Sequence, residues 1–213
     1  MAFWNMNSPF AKGVNKLTQM LYVGLLWFVC SVPIVTIGAA STALFEVLMQ
    51  MEKDTEGYIG ASFLRSFKNN FKQATSVWIP ILFTEIIFGV NMVYYALLSG
   101  GRHPVEKVVF IVLFTAVMAL AGYIFPVLAK FDNTVGDTFR LAIVLLARKP
   151  GWTIMILTIQ ILTVFVCYFF VYMPVLFIMG ITGYLQAAIF NHIFDGMIER
   201  GEITEKETER IAE

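Results

Sequence analysis

The longest apolar stretch of the chain runs from Leu17 to Met51, and Glu46 carries its only formal charge. At 1.5 Å per residue, this stretch exceeds the roughly 20 residues that one membrane-spanning helix needs. Pro33 interrupts it near the middle, because proline donates no backbone hydrogen bond and disfavours a helical conformation at the preceding residue. The pattern therefore predicts a helical hairpin with limbs near residues 17–32 and 36–51.

Further apolar stretches predict four more spans, at residues 74–98, 105–129, 151–173 and 175–194. Before the first of these, residues 61–75 place phenylalanines opposite basic and amide side chains, which is the pattern of a short amphipathic helix at the membrane surface. A mostly apolar helix is also predicted over residues 139–147. The sequence thus predicts an all-α bundle of six transmembrane spans over residues 1–198, followed by a charged cytoplasmic tail over residues 199–213.

The basic residues orient this bundle. Of the 15 lysines and arginines, only Arg102 and Lys107 fall on the side opposite to the two termini when six spans are drawn. Cytoplasmic segments of membrane proteins are rich in lysine and arginine, so both termini of a multi-pass protein are predicted to be cytoplasmic. A five-span alternative stays open, although it moves Lys12 and Lys16 outside and reduces the charge bias.

Composition and aromatic positions also fit a lipid environment. Charged residues make up 14% of the chain, against about 25% in typical soluble domains, and the mean hydropathy is +0.74. Trp78 and Trp152 fall at predicted inner boundaries, and Tyr94 and Tyr95 at an outer one, where amphipathic rings are favourable. The formal net charge is zero, so no basic excess points to nucleic acid as a partner.

Polar residues inside the spans are the candidates for a functional site, because an ionised group there is costly unless it faces a partner or a water-filled cavity. Glu46 and Glu85 are the acids deep inside the predicted spans. In the structural alternative, Glu46 reaches the interface and Glu85 is protonated or hydrogen-bonded to a neighbouring helix. Other polar side chains are predicted to meet these acids or to join helix to helix. They are Asn91, Gln160, Thr163, Gln186, Asn191 and His192.

The sequence contains no signature of enzyme chemistry: it has no phosphate-binding glycine loop with lysine, no HExxH and no GxSxG. We therefore expect no catalytic residues and no cofactor. Cys30 and Cys167 lie in apolar runs without a second ligand type at metal spacing, so we expect packed side chains rather than a disulfide or a metal pair. His192 and Asp195 are one turn apart but lack a third ligand, and no metal site is predicted.

Two basic segments are predicted at the cytoplasmic headgroup layer, where they are also candidate faces for a partner. They comprise Arg65, Lys68 and Lys72 after the hairpin, and Arg148 and Lys149 before the fifth span. Gly180 and Gly183 begin a small-residue stripe in the last span, which favours close helix packing either within the bundle or between copies of the chain. A homo-oligomer therefore stays open.

The chain resembles the YesL-like family of bacterial integral membrane proteins. The resemblance is carried by SVPIVTIG at residues 31–38 and SFKNNFKQAT at residues 66–75, and it extends through the later FPVLAKFDNT to nearly the whole chain. It implies a small protein of the bacterial plasma membrane, of unassigned activity, that often accompanies carbohydrate uptake systems of the ABC type. It brings no catalytic residues.

Three classes of function remain open. The first is an accessory or scaffold subunit that works with the subunits of an ABC-type carbohydrate or oligosaccharide transporter. The second is a small independent transporter or channel that uses Glu46 or Glu85 and is oligomeric. The third is a regulatory or sensing membrane protein.

Overall fold

The computed structural model describes residues 9–55, 57–98, 104–131, 134–169 and 174–200. Within these ranges the chain forms α-helices and no strand, which confirms the all-α class. The helices are α1 (Pro9–Ser31), α2 (Ile37–Glu52), α3 (Ile59–Val93), α4 (Pro104–Lys130), α5 (Val135–Arg148), α6 (Pro150–Phe169) and α7 (Pro174–Ile198). A 3-10 turn at Ile34–Thr36 joins α1 to α2, and a π-helical turn at Tyr94–Leu98 extends α3. The predicted tail lies, from residue 201 onwards, outside the described residues.

The two helical limbs of the N-terminal hairpin are confirmed. Proline ends α1 as expected, and the Thr36 hydroxyl donates a hydrogen bond of 2.5 Å to the carbonyl oxygen of Cys30, which α1 leaves without a helical partner. Across the hairpin, Trp27 Nε1 donates to Ser41 Oγ at 3.1 Å. These bonds hold α1 and α2 side by side.

The helix α3 contains two predicted segments. The sequence pattern predicted a surface helix at residues 61–75 that leads straight into a span over residues 74–98, and a single helix runs from Ile59 to Val93. At 1.5 Å per residue it is about 52 Å long. Its buried side chains form one stripe with helical spacing, which continues through both predicted segments without a break. They are Phe63, Ser66, Asn70, Ala74, Val77 and Ile81.

The packed core lies toward one end of the bundle, which we call the charged end because it carries Lys16, Lys53 and Asp195. Here α2 packs against α3, α4 and α7 around fully buried aromatic side chains. The opposite, apolar end consists of α3 beyond Trp78, the first half of α4 and the later part of α6, and it exposes large apolar side chains. Among those exposed there are Phe83, Ile87, Val90, Val105, Val112 and Ile161.

Three helical segments of the described chain are long and apolar enough to cross a membrane: Ile34–Glu52, Ile59–Val93 and Val105–Lys130. The helix α5 and the first part of α6 add a fourth if they form one broken span, since they are bent by 103°. The bend follows Arg148, where Lys149 and Pro150 interrupt the helix. Several apolar helices therefore support a membrane protein, while six crossings stay a prediction.

Candidate functional site

The first candidate site is a polar cluster of Glu46, Ser66 and Asn70, which we call the α2–α3 cluster. Ser66 Oγ donates to Glu46 Oε2 at 2.5 Å, and Asn70 Nδ2 lies 3.4 Å from the same oxygen. Ser66 and Asn70 are one helical turn apart and therefore share a face of α3. They are 2% and 7% exposed, respectively, so two buried donors hold the Glu46 carboxylate. Sequence reasoning identified Glu46 but missed both of its partners.

Two ion pairs connect helices at the charged end. Lys53 Nζ lies 2.6 Å from Asp195 Oδ1, and Lys16 Nζ lies 3.0 Å from Asp54 Oδ1. Burial lowers the pKa of Lys16, but hydrogen bonds with Tyr184 and Asp54 outweigh this effect, so its pKa is raised. Ion pairs this open to solvent contribute at most about 1 kcal/mol each. They tie α1 and α7 to the residues that follow α2.

Asn191 connects α7 to the end of α2. Its Nδ2 donates to the carbonyl oxygen of Met49 at 3.0 Å and to Glu52 Oε2 at 2.7 Å. The side chain is 2% exposed, and its Oδ1 has no hydrogen-bond partner among the described residues. Asn191 thus joins helix to helix, and the acid that it meets is Glu52 rather than Glu46 or Glu85.

The other predicted polar side chains do not join these acids. Asn91 Nδ2 donates to the carbonyl oxygen of Ile87 in its own helix, and Thr163 Oγ1 donates to that of Ile159. Gln186 is buried. Over the described ranges, the structure gives none of these three side chains a hydrogen bond to Glu46 or Glu85.

Gln160 lines an apolar groove of about 390 Å³ between α4 and α6. Its amide packs against Gly122, where a Cβ atom would collide with it, and its Oε1 has no partner in the described chain. The other polar lining residue, Thr115, donates its hydroxyl to the carbonyl oxygen of Ile111. The groove can therefore hold an apolar chain, but it offers no nucleophile, acid or base.

No three histidine, cysteine, aspartate or glutamate side chains of the described residues lie together so as to hold a metal ion. The two residues that the sequence placed one turn apart have other contacts. The ring of His192 lies 5.6 Å from that of Trp152, and Asp195 pairs with Lys53.

Glu85 differs from Glu46. Both of its carboxyl oxygens are buried, and neither has a hydrogen-bond partner among the described residues. Along α3, Glu85 lies about 20 Å from Lys72 and about 13 Å from Tyr94. An unpaired carboxyl group therefore lies within the apolar end of the longest helix.

We expect Glu85→Leu to leave the melting temperature of the detergent-solubilised protein unchanged or to raise it, because burying an unpaired carboxyl group costs free energy. Glu85→Gln should not be more stable than Glu85→Leu. Thermal unfolding of the three proteins measures this, with Glu46→Leu as the matched control, since that substitution removes a bonded carboxylate. A Glu85→Leu protein that melts well below wild type would show that Glu85 has a partner and would contradict the prediction.

A basic surface lies on α3 near the α2–α3 cluster. Arg65, Lys68 and Lys72 are exposed along the helix, and the apolar side chains of Leu64 and Phe71 are exposed among them. We call this surface the α3 basic face. The second predicted basic segment, Arg148 and Lys149, ends α5, which packs on α4 and α6.

Part of the chain matches a known family of proteins. Residues 20–92 match the family described as Protein of unknown function, DUF624. The matched segment is about a third of the 213 residues and contains the hairpin turn, the α2–α3 cluster, the α3 basic face and Glu85. It also contains both sequence elements on which the resemblance to the YesL-like family rests, and it is consistent with that resemblance. Neither the curated proteins nor the solved structures include a match to the chain.

Proposed function

We propose that the protein is an accessory subunit of a carbohydrate or oligosaccharide uptake system in a bacterial plasma membrane, where it binds the subunits of an ABC-type transporter. The observation that carries this proposal is the α3 basic face. Its cations are exposed on the same continuous helix that forms the apolar end. A partner bound at this face would be coupled directly to a segment inside the bilayer.

The use of the other polar groups supports a binding role over a transport role. The Glu46 side chain accepts hydrogen bonds from Ser66 and Asn70. The Asn191 side chain donates hydrogen bonds to Met49 and Glu52. These polar groups therefore connect helices. In the proposed orientation, the charged end and both termini are cytoplasmic. The described part of the apolar end then offers mainly lipid-facing side chains and little surface to recognise a sugar.

The unpaired carboxyl group of Glu85 favours a second candidate function, a small independent transporter. In that case Glu85 would carry a proton or a cation through the apolar end. Transport of a labelled substrate by purified protein in liposomes, lost in Glu85→Gln while the melting temperature is unchanged, would favour this function over the accessory role.

The accessory role predicts that Lys68→Glu weakens recovery of transporter subunits in an affinity pull-down from native membranes by several-fold. The reason is that the substitution reverses a charge at the centre of the α3 basic face. Lys107→Glu is the matched control, because it makes the same charge change at an exposed lysine near the start of α4 and should leave recovery unchanged. Equal recovery with both variants would contradict docking at this face.

A further inference from the structure

The turn of the N-terminal hairpin packs directly against the middle of α3. Trp78 Nε1 donates to the carbonyl oxygen of Ile34 at 2.8 Å. At Gly38, a Cβ atom would lie 2.6 Å from Trp78 Cβ and 2.8 Å from the carbonyl oxygen of Ala74, so only glycine allows this close contact. The hairpin turn and Trp78 therefore share one level in the bundle.

That level lies far from the point at which α3 ends, next to Tyr94. At 1.5 Å per residue, about 24 Å of helix separate Trp78 from Tyr94, whereas about 9 Å separate it from Lys72. The distance from Lys72 to Tyr94 is about 33 Å, close to the thickness of the hydrocarbon core of a bilayer. The helix α4 gives a similar distance, about 34 Å, between Lys107 and Lys130. In both helices, therefore, the segment between these residues matches the thickness of the hydrocarbon core.

A hairpin that crossed the bilayer completely would place its turn, and Trp78 with it, at the outer surface. Lys72 and Arg65 would then lie about 9 and 20 Å below that surface and face lipid, which is costly for a charged group. The exposed apolar side chains from Phe83 to Val93 would extend into water. The two predictions from sequence, Trp78 at the inner boundary and the hairpin turn at the outer surface, exclude each other because the two sites touch.

We infer that the α1–α2 hairpin is re-entrant: it enters the bilayer from the charged end and turns back within the nearer leaflet, where acyl chains of lipids cover its turn. Val32, Ile34 and Val35 are 71%, 60% and 49% exposed, so the protein itself does not cover them. The nearest charged residue to the turn along α2 is Glu46, and the nearest along α1 is Lys16. Lipid is the solvent that such a surface fits.

This arrangement leaves the distribution of basic residues unchanged. The turn carries no charge, so a re-entrant and a crossing hairpin place the same lysines and arginines on each side of the membrane. Charge counting from sequence therefore cannot distinguish the two, and the contact with Trp78 does. The inference is independent of the accessory role, since it concerns lipid contact alone.

Cysteine labelling with a membrane-impermeant maleimide tests the inference in a Cys30→Ala, Cys167→Ala background. Ile34→Cys is compared with Lys68→Cys and with Val105→Cys, which lies in the first turn of α4 and is 70% exposed. We expect Val105→Cys to react in intact cells and Lys68→Cys to react only after permeabilisation. Ile34→Cys should be protected in both conditions and react after denaturation in detergent. The protection should persist in liposomes of the purified protein, where no partner is present.

Each other outcome overturns the inference. Labelling of Ile34→Cys in intact cells would show a crossing hairpin. Labelling only after permeabilisation would place the turn in water on the inner side. Protection in cells that is lost in liposomes would show that another protein, rather than lipid, covers the turn.

Discussion

Gly180→Ala should lower the melting temperature of the detergent-solubilised protein strongly, because α1 and α7 touch at this position. A Cβ atom at Gly180 would collide with the carbonyl group of Met20, which is backbone and cannot move without shifting α1. Overpacking of this kind costs about 1–3 kcal/mol. Gly38→Ala should also lower the melting temperature, because its Cβ atom would collide with Trp78 and with the carbonyl oxygen of Ala74. Thermal unfolding followed by circular dichroism measures both effects.

Gly13→Ala and Gly151→Ala are the matched controls. Nothing lies within 4 Å of a Cβ atom at either glycine, and both are in helices. Alanine is favoured over glycine inside a helix by up to about 1 kcal/mol, so these variants should be as stable as wild type or slightly more stable. If Gly180→Ala melts together with the controls, α1 and α7 are not in contact as described.

Glu46→Leu should lower the free energy of unfolding by about 1–3 kcal/mol, because the buried hydroxyl of Ser66 loses its acceptor. Asn70 loses a longer bond to Glu46 and keeps the carbonyl oxygen of Ser66 as an acceptor at 3.1 Å. Glu46→Gln should lose less, since the amide oxygen can still accept from Ser66. Unfolding in mixed micelles with increasing denaturing detergent measures the three proteins under one condition.

A double-mutant cycle separates the hydrogen bond from a general effect of the substitution. Ser66→Ala removes the hydroxyl group that donates the shorter hydrogen bond to Glu46. The double variant, Glu46→Leu with Ser66→Ala, removes both the donor and the acceptor. If the bond stabilises the helix pair, the double variant should be more stable than the sum of the two single losses predicts. Strictly additive losses would show that Glu46 and Ser66 do not interact.

The sequence predicted the helical hairpin well because proline and apolar length act locally. It did not predict the buried stripe at residues 61–75, where apolar and basic positions lie on opposite faces as in a surface helix. In the folded chain the buried stripe of α3 includes Ser66 and Asn70, which lie in register with Phe63 and Ala74. The spacing of Ser66 and Asn70 is visible in the sequence, but the sequence does not show that Glu46 of α2 faces these two residues.

Glu46 and Glu85 were both candidates for a functional site in the sequence, since each is a single acid in an apolar run, and neither could be assigned a hydrogen-bond partner. The structure separates them by what surrounds each carboxyl group. Glu46 meets two donors on the neighbouring helix, whereas Glu85 meets none among the described residues. Hydropathy along one helix carries no information about the side chains that a second helix presents, so sequence reasoning could not make this distinction.

The depth of the hairpin in the bilayer could not be predicted from the sequence for a related reason. Apolar length predicts that a segment can lie in lipid, but it does not predict how far it enters. The depth follows from the contact between Ile34 and Trp78, which are distant in the chain. The bilayer position of α3 then fixes that of the turn.

The most direct measurement of this central claim is the depth of a nitroxide spin label at position 34 in liposomes, from its collisions with oxygen and with a water-soluble nickel complex. Labels at Ile79, beside Trp78, and at Val105 serve as references. A re-entrant hairpin predicts that the label at position 34 collides with oxygen but not with nickel, at the depth of the label at position 79. A label at position 34 that is as accessible to nickel as the one at position 105 would contradict the account.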